Sequence, residues 1–198
     1  HRTTVLTSQD GWSHEVWAQL GELGLLAINI PEEEGGIGAG PLGTMLVSNA
    51  VGEGLLVEPF LSSAVVATQA IVQLGSRAQR EAWLPALASG ELIAVLAHDE
   101  VSGGVDVLAI NTQAVAVGDG WEITGRKSIV YHAPASQLIL VSAKVGEGIG
   151  LFAVATDAAG VQLQPCTTVD GQRAADVILD KVHVPSDARL GGEASEAL

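Results

Sequence analysis

The apolar residues of this 198-residue chain change their spacing near position 90. Before it, Val16, Leu20 and Leu23 recur at helical spacing, and so do Ala64, Ala67, Ile71 and Leu74. From Leu92 onward the pattern shortens to runs such as "LIAVLA", "LILVSA" and "LFAVA", or to the alternation of "WEIT". A stripe repeating every 3.6 residues suits a helix, and one repeating every two suits a pleated strand. Helices first and strands second predict an α+β protein rather than an alternating βαβ sheet. The boundaries expected are a helical domain over 1–91, a barrel or sandwich-like β-domain over 92–190, and the start of a linker over 191–198.

Local signals refine this outline. Pro41 suits a first helical turn, where its missing N–H leaves no bond unmade. Ser76 and Gln79 form a capping-box pattern opening "SRAQREAWL", and Pro85 is expected to break or kink that helix after Leu84. Gly118-Asp119-Gly120 between "AVAV" and "WEIT" predicts a hairpin, with Trp121 and Ile123 on one face and Glu122 and Thr124 on the other. The run "ADVILDKVHV" before Pro185 reads as a further strand.

Charge excludes one class of partner. Nine Lys and Arg against 23 Asp and Glu leave a net charge of −14, and Arg2, Arg77 and Arg80 are the only basic side chains before position 101. A phosphate backbone needs a basic surface, so no nucleic-acid partner is expected. No apolar run approaches the roughly 20 residues of a membrane span, so no membrane insertion is expected. With 47% apolar residues and one cysteine, Cys166, the sequence fits a soluble protein of the cytoplasm.

Gly38-Ala39-Gly40-Pro41-Leu42-Gly43 has the G-x-G-x-x-G spacing of a dinucleotide loop. Seven residues, Pro31–Ile37, separate it from the preceding apolar run, and Glu32, Glu33 and Glu34 crowd the approach with charge that repels an anion. A glycine-rich turn is the expectation, with a nicotinamide-nucleotide domain kept as a lesser alternative. The histidines at 1, 14, 98, 132 and 183 lack metal-ligand spacing, so no metal site is expected. Cys166 on an apolar strand reads as core, and no G-x-S-x-G elbow occurs.

Three ordered stretches carry a more specific signal. "LGELGLLAINIPEEEGGIGAG", "LGSRAQREAWLPALASGELIAVLAHDE" and "GWEITGRKSIV" together resemble the FAD-dependent acyl-CoA dehydrogenases, in detail the small subunits of pimeloyl-CoA-type enzymes. The resemblance implies an N-terminal helical domain lacking its first helix, then a middle β-domain. A C-terminal helical bundle, carrying the glutamate that removes the substrate α-proton, lies outside the chain. It therefore implies no catalytic residue here, an isolated chain that does not turn over, acyl-CoA as substrate and FAD as cofactor.

The family's T-E-P-G-x-G-S-D loop falls on residues 99–106, which puts Leu96, Ala97, His98, Asp99, Glu100, Gly104 and Val105 against the flavin. Val105 would also meet substrate. The second flavin segment, W-I-T/S in the family, falls on Ile129, Val130 and Tyr131. Glu100, Gly104 and Asp106 match the pattern. Asp99 replaces a threonine, Val105 a serine, Ile129 an aromatic shield, and Tyr131 a smaller hydroxyl residue. Two readings follow: a dehydrogenase subunit that holds FAD and acyl-CoA, or a non-catalytic subunit supporting a homologous partner in a homo- or hetero-oligomer.

Overall fold

The computed structural model describes residues 2–104 and 106–191. It divides into two compact units, His1–Ala94 with Val169–Gln172, and Val95–Thr168 with Arg173–Leu198.

The first unit is helical. Helices α1 (Arg2–Leu6), α2 (His14–Glu22), α3 (Gly40–Glu53), α4 (Thr68–Leu74) and α5 (Arg77–Ser89) are joined by short turns, and a wide π-type stretch, Phe60–Ala67, runs directly into α4. The Ser13 side chain caps α2 through the amide of Val16. The buried face of α2 is Trp17 and Leu20. Leu23, expected on that stripe, sits at the C-cap with its side chain 70% exposed. Trp17 instead turns inward and donates from Nε1 to the carbonyl of Gly90 at 2.9 Å. Gly90 ends α5 at φ 82°, and a Cβ there would lie 2.9 Å from both Trp17 and Leu26, so only glycine closes this end.

The Ser76–Gln79 capping box forms in both directions. Pro85 does not end α5: the helix continues to Ser89. Loss of one N–H inside a helix is tolerated here because Leu84 and Leu87, on either side of the proline, are buried and hold the turn by packing. Pro41 lies in the first turn of α3, as expected. The glycine-rich segment before it is a turn whose leading amides are already occupied. Ile37, Gly38 and Ala39 donate to the carbonyls of Ala27, Ile30 and Ile28 at 2.9–3.1 Å. A phosphate cradle needs free amides at its first glycines and a strand leading into them; these amides are taken and 3₁₀ turns stand at Leu25–Ala27 and Glu32–Glu34, so the nicotinamide-nucleotide alternative is discarded.

The second unit is a mixed sheet. Its strands are β1 (Ala94–Ala97), β2 (Gln113–Val117), β3 (Gly120–Tyr131), β4 (Leu138–Val145), β5 (Gly148–Ala155), β6 (Val161–Thr167), β7 (Arg173–Pro185) and β8 (Arg189–Leu190). They are ordered β6-β7-β3-β2-β4-β5-β8, with β1 also pairing β4. The predicted hairpin joins β2 to β3 through Gly118-Asp119, in the register Val117 to Gly120. Inward residues of these strands, among them Val95, Ile123, Val141, Phe152, Val177 and Val182, make one core. The Trp121 ring meets Phe152 edge-on at 5.3 Å, with the Arg189 guanidinium 5.5 Å from the Trp121 centroid. Cys166 departs from expectation: it is exposed on β6, the strand at one end of the sheet order, where Gln164, Pro165 and Thr167 are exposed as well. Among the described residues, no helix is long and apolar enough to cross a membrane.

Candidate functional site

A buried ion pair organises the site. Gly125-Arg126-Lys127 on β3 places the Lys127 side chain inward with no exposure, and its ammonium makes three bonds. Nζ donates to Glu100 Oε1 at 2.9 Å, to Ser142 Oγ at 3.0 Å and to the carbonyl of His98 at 3.0 Å. All three of its protons are thereby placed. The Glu100 side chain is 5% exposed and equally engaged. Thr112 donates to its Oε1 from both Oγ1 (2.7 Å) and N (3.0 Å), and Asn111 N donates to Oε2 at 2.6 Å. Burial pushes the Glu100 carboxyl up, but hydrogen bonds from Lys127, Thr112 and Asn111 outweigh it and bring the pKa down to about 2. Burial pushes the Lys127 ammonium down, against the pull of Glu100 and then Asp99.

Close approach of Thr112 to β3 depends on Gly125. A Cβ at that position would stand 2.4 Å from Thr112 Oγ1 and 2.7 Å from its Cα. Glycine thus lets the residue after the 101–110 loop reach Glu100 beside the lysine strand.

Beyond Lys127, β3 is irregular. Its register with β7 shifts between Lys127 and Val130, and within that bulge Ile129 takes φ 51°, a conformation disfavoured for a β-branched residue. Asp176 on β7 holds the bulge: Oδ1 accepts the Ile129 amide at 2.9 Å and Oδ2 meets Arg126 Nη2 at 2.7 Å. These two bonds, the amide first, keep the Asp176 carboxyl below its usual range.

The residues proposed from sequence fall into groups. His98, Asp99 and Glu100 are brought to Lys127, Ser128 and Ile129, since Ser128 N donates to the Asp99 carbonyl at 2.8 Å and Lys127 reaches His98 O. Asp99 is exposed, as are Ile129 (54%) and Tyr131 (44%). Ala97 and Val130 turn their side chains into the sheet core. Leu96 is half-buried on β1, and Gly104 sits at φ 57° in a series of turns. Val105 lies outside the described residues. Asp106 Oδ1 accepts the Leu108 amide and so braces the loop. Sequence reasoning missed Asn111, Thr112 and Ser142, isolated polar residues with no spacing to single them out. Glu100 lies in the T-E-P-like loop and Lys127 in the stretch "GWEITGRKSIV", but neither pattern says that the two pair.

Profiles of two consecutive domains fit this geometry: acyl-CoA dehydrogenase, N-terminal domain, over residues 4–91, and acyl-CoA dehydrogenase, middle domain, over residues 96–182. The chain belongs to the acyl-CoA dehydrogenase family. Acyl-CoA dehydrogenase FadE12 of Mycobacterium tuberculosis is 36% identical over 193 residues, covering 90% of this chain and 48% of that protein. The mitochondrial long-chain specific acyl-CoA dehydrogenase of Mus musculus is 30% identical over 197 residues, or 91% of this chain and 45% of that one. Among solved structures, the ChsE4-ChsE5 complex from Mycobacterium tuberculosis superposes with a TM-score of 0.89 at 28% identity, covering 98% of this chain and 52% of that one. A variant of the Tcur3481-Tcur3483 steroid ACAD gives 0.88 at 32% identity over the same shares. The chain therefore spans about half the length of the acyl-CoA dehydrogenases it matches. Among its described residues, no group of three His, Cys, Asp or Glu could hold a metal ion.

Proposed function

We propose that this chain supplies the helical and middle domains of a cytoplasmic, FAD-dependent acyl-CoA dehydrogenase, which desaturates an acyl-CoA thioester between its α and β carbons. The observation that carries the reading is the Glu100–Lys127 anchor, which fixes residues 98–100 against the bulge at Ile129. Both motifs that the family resemblance ties to flavin meet at that anchor.

The residues present fit a flat, largely apolar group. Ile129 and Tyr131 are left exposed on a strand whose backbone is held at the Ile129 amide by Asp176 and at the Ser128 amide by the Asp99 carbonyl. Exposed apolar side chains on a rigid support favour a ligand that covers them. FAD, when bound, supplies the acceptor for the hydride leaving the substrate β-carbon. Ile129 and Tyr131 would cover it from water, and the backbone of 98–100 would set the position of the wall. Asp99 puts a carboxylate where the family has a hydroxyl, which opposes the build-up of negative charge nearby. Val105 removes a donor at the other hydroxyl position. The family's base, a glutamate of the C-terminal bundle, has no counterpart assigned in these 198 residues, so turnover needs that further part of the architecture.

The loss of hydroxyl donors at Asp99 and Val105, with the larger Tyr131 at a third site, favours a second reading. In it the chain is a supporting subunit beside a partner that bears the flavin and the base. Two of its structural neighbours are pairs of named components, ChsE4-ChsE5 and Tcur3481-Tcur3483, which suits a hetero-oligomer. Curated relatives act, by name, on methylsuccinyl, long-chain and isovaleryl thioesters, so the substrate is assigned only as an acyl-CoA.

Flavin absorbance of the purified chain, alone and after coexpression with another acyl-CoA dehydrogenase subunit, separates the readings. Colour with the chain alone supports its own flavin site, and colour only in the mixture supports the partner role. A colourless product in both cases contradicts the proposal.

A further inference from the structure

His98 has both ring nitrogens engaged within the protein. Nδ1 lies 3.0 Å from Ser142 Oγ, and Nε2 lies 2.9 Å from the carbonyl of Val107. Roles follow from what each partner can do. A carbonyl only accepts, so Nε2 carries a proton. Ser142 Oγ, on β4 and 3% exposed, already accepts from the Lys127 ammonium at 3.0 Å. Its own proton has two targets, His98 Nδ1 at 3.0 Å and the Ala97 carbonyl at 3.4 Å. In a neutral ring whose one proton is on Nε2, Nδ1 can only accept, so Ser142 turns its proton to Nδ1, the nearer of the two. With Nδ1 as acceptor, every donor in the series Lys127, Ser142, His98, Val107 points the same way.

We propose that His98 is a positioning residue: Lys127 and Ser142 fix its neutral Nε2–H tautomer, and through that proton it latches the turns at 106–110 to the interior of the β unit. The latch complements the Glu100 anchor. Glu100 holds the far end of the loop through Asn111 and Thr112, while His98 holds its middle through Val107. Both nitrogens of this half-buried imidazole are thereby engaged, and neither is left free for a ligand. Its bearing on cofactor retention rests on the flavin reading above, whereas the latch itself does not.

Long-range nitrogen–proton NMR correlations of the 198-residue protein at neutral pH read the tautomer directly. A protonated Nε2 with a bare Nδ1 is expected; the reverse tautomer, or a doubly protonated ring, overturns the proposal. Amide hydrogen exchange then tests the latch. His98→Ala should raise exchange at Asp106, Leu108, Ala109 and Ile110 roughly five- to tenfold, the effect of about one net hydrogen bond, and leave β3 and β7 amides unchanged. His98→Gln, which keeps an N–H donor for Val107, should restore most of the protection. Equal exchange in both variants and the parent, or a rise spread over β3 and β7, overturns the latch. Should His98→Ala not fold, His98→Phe serves instead: it keeps a ring without a donor, so faster exchange at residues 106–110 supports the latch and unchanged exchange refutes it. FAD retention by the assembled protein, measured on the same variants, separates the two ideas. Faster loop exchange with unaltered retention upholds the latch and counts against the flavin wall.

Discussion

Replacing Lys127 by methionine should be the most damaging single change in the β unit that alters no apolar contact. The two side chains are similar in length, so packing is kept and only the charge and its donors go. What remains is a Glu100 carboxylate, 5% exposed, with Thr112 and Asn111 as its only named donors, together with a Ser142 hydroxyl and a His98 carbonyl deprived of a bond. Removing one partner of a buried pair costs about 3–5 kcal/mol. For a chain of this size that corresponds to a fall in Tm of roughly 6–20 °C, at about 2–4 °C per kcal/mol.

Adding Glu100→Gln to Lys127→Met removes the stranded charge, so the double variant should regain part of the loss. The same pair predicts an acid response. The Glu100 pKa lies at about 2 in the folded protein against an ordinary 4.5, so its contribution is present above pH 4.5 and is lost as pH falls from there through about 2. Thermal melts followed by circular dichroism across that range should show a steeper acid loss for the parent than for Glu100→Gln. A Lys127→Met protein within about 1 kcal/mol of the parent, or a double variant no more stable than the single, refutes the reasoning.

Other expectations follow from the same region. Gly125→Ala should destabilise by about 1–3 kcal/mol in urea melts, because the new Cβ meets Thr112 backbone that cannot yield; a neutral change would mean that β3 shifts freely there. Ile129→Asn should raise stability by about 1 kcal/mol, since asparagine tolerates φ 51° better than a β-branched residue and little apolar burial is lost at an exposed site. Destabilisation in the same melts would argue that the isoleucine side chain is packed. Asp99→Thr with Val105→Ser should increase FAD content per protein in the assembled complex, measured by absorbance after denaturation; unchanged content counts against the placement of the wall.

The α+β division was legible because the period of apolar residues is a local property, and each strand expected between Leu92 and Pro185 has its counterpart. Single residues were read less well where tertiary contacts decide. Leu23 follows the helical count but falls just past the end of α2, whereas Trp17, off the counted stripe, is drawn inward by Gly90. Cys166 looked apolar by its neighbours, yet β6 lies at an end of the sheet order. No local pattern reports where a strand falls in that order. The site was half visible for a similar reason. Glu100 and Lys127 belong to recognisable motifs, but Ser142 lies 15 residues from Lys127 and 44 from His98, and only the fold brings the three together.

The central claim, that the 98–100 segment and the β3 bulge form a flavin wall in an acyl-CoA dehydrogenase, is tested most directly by adding acyl-CoA without oxygen. The sample is this chain joined with the half of the family architecture beyond its 198 residues. The visible flavin band should be present, bleach on addition of an acyl-CoA thioester, and be weakened by Lys127→Met in a sample that remains folded. A bleaching flavin whose binding is indifferent to Lys127, Asp99 and Ile129 substitutions would place the cofactor away from the 98–100 segment and the β3 bulge, and would contradict the flavin wall.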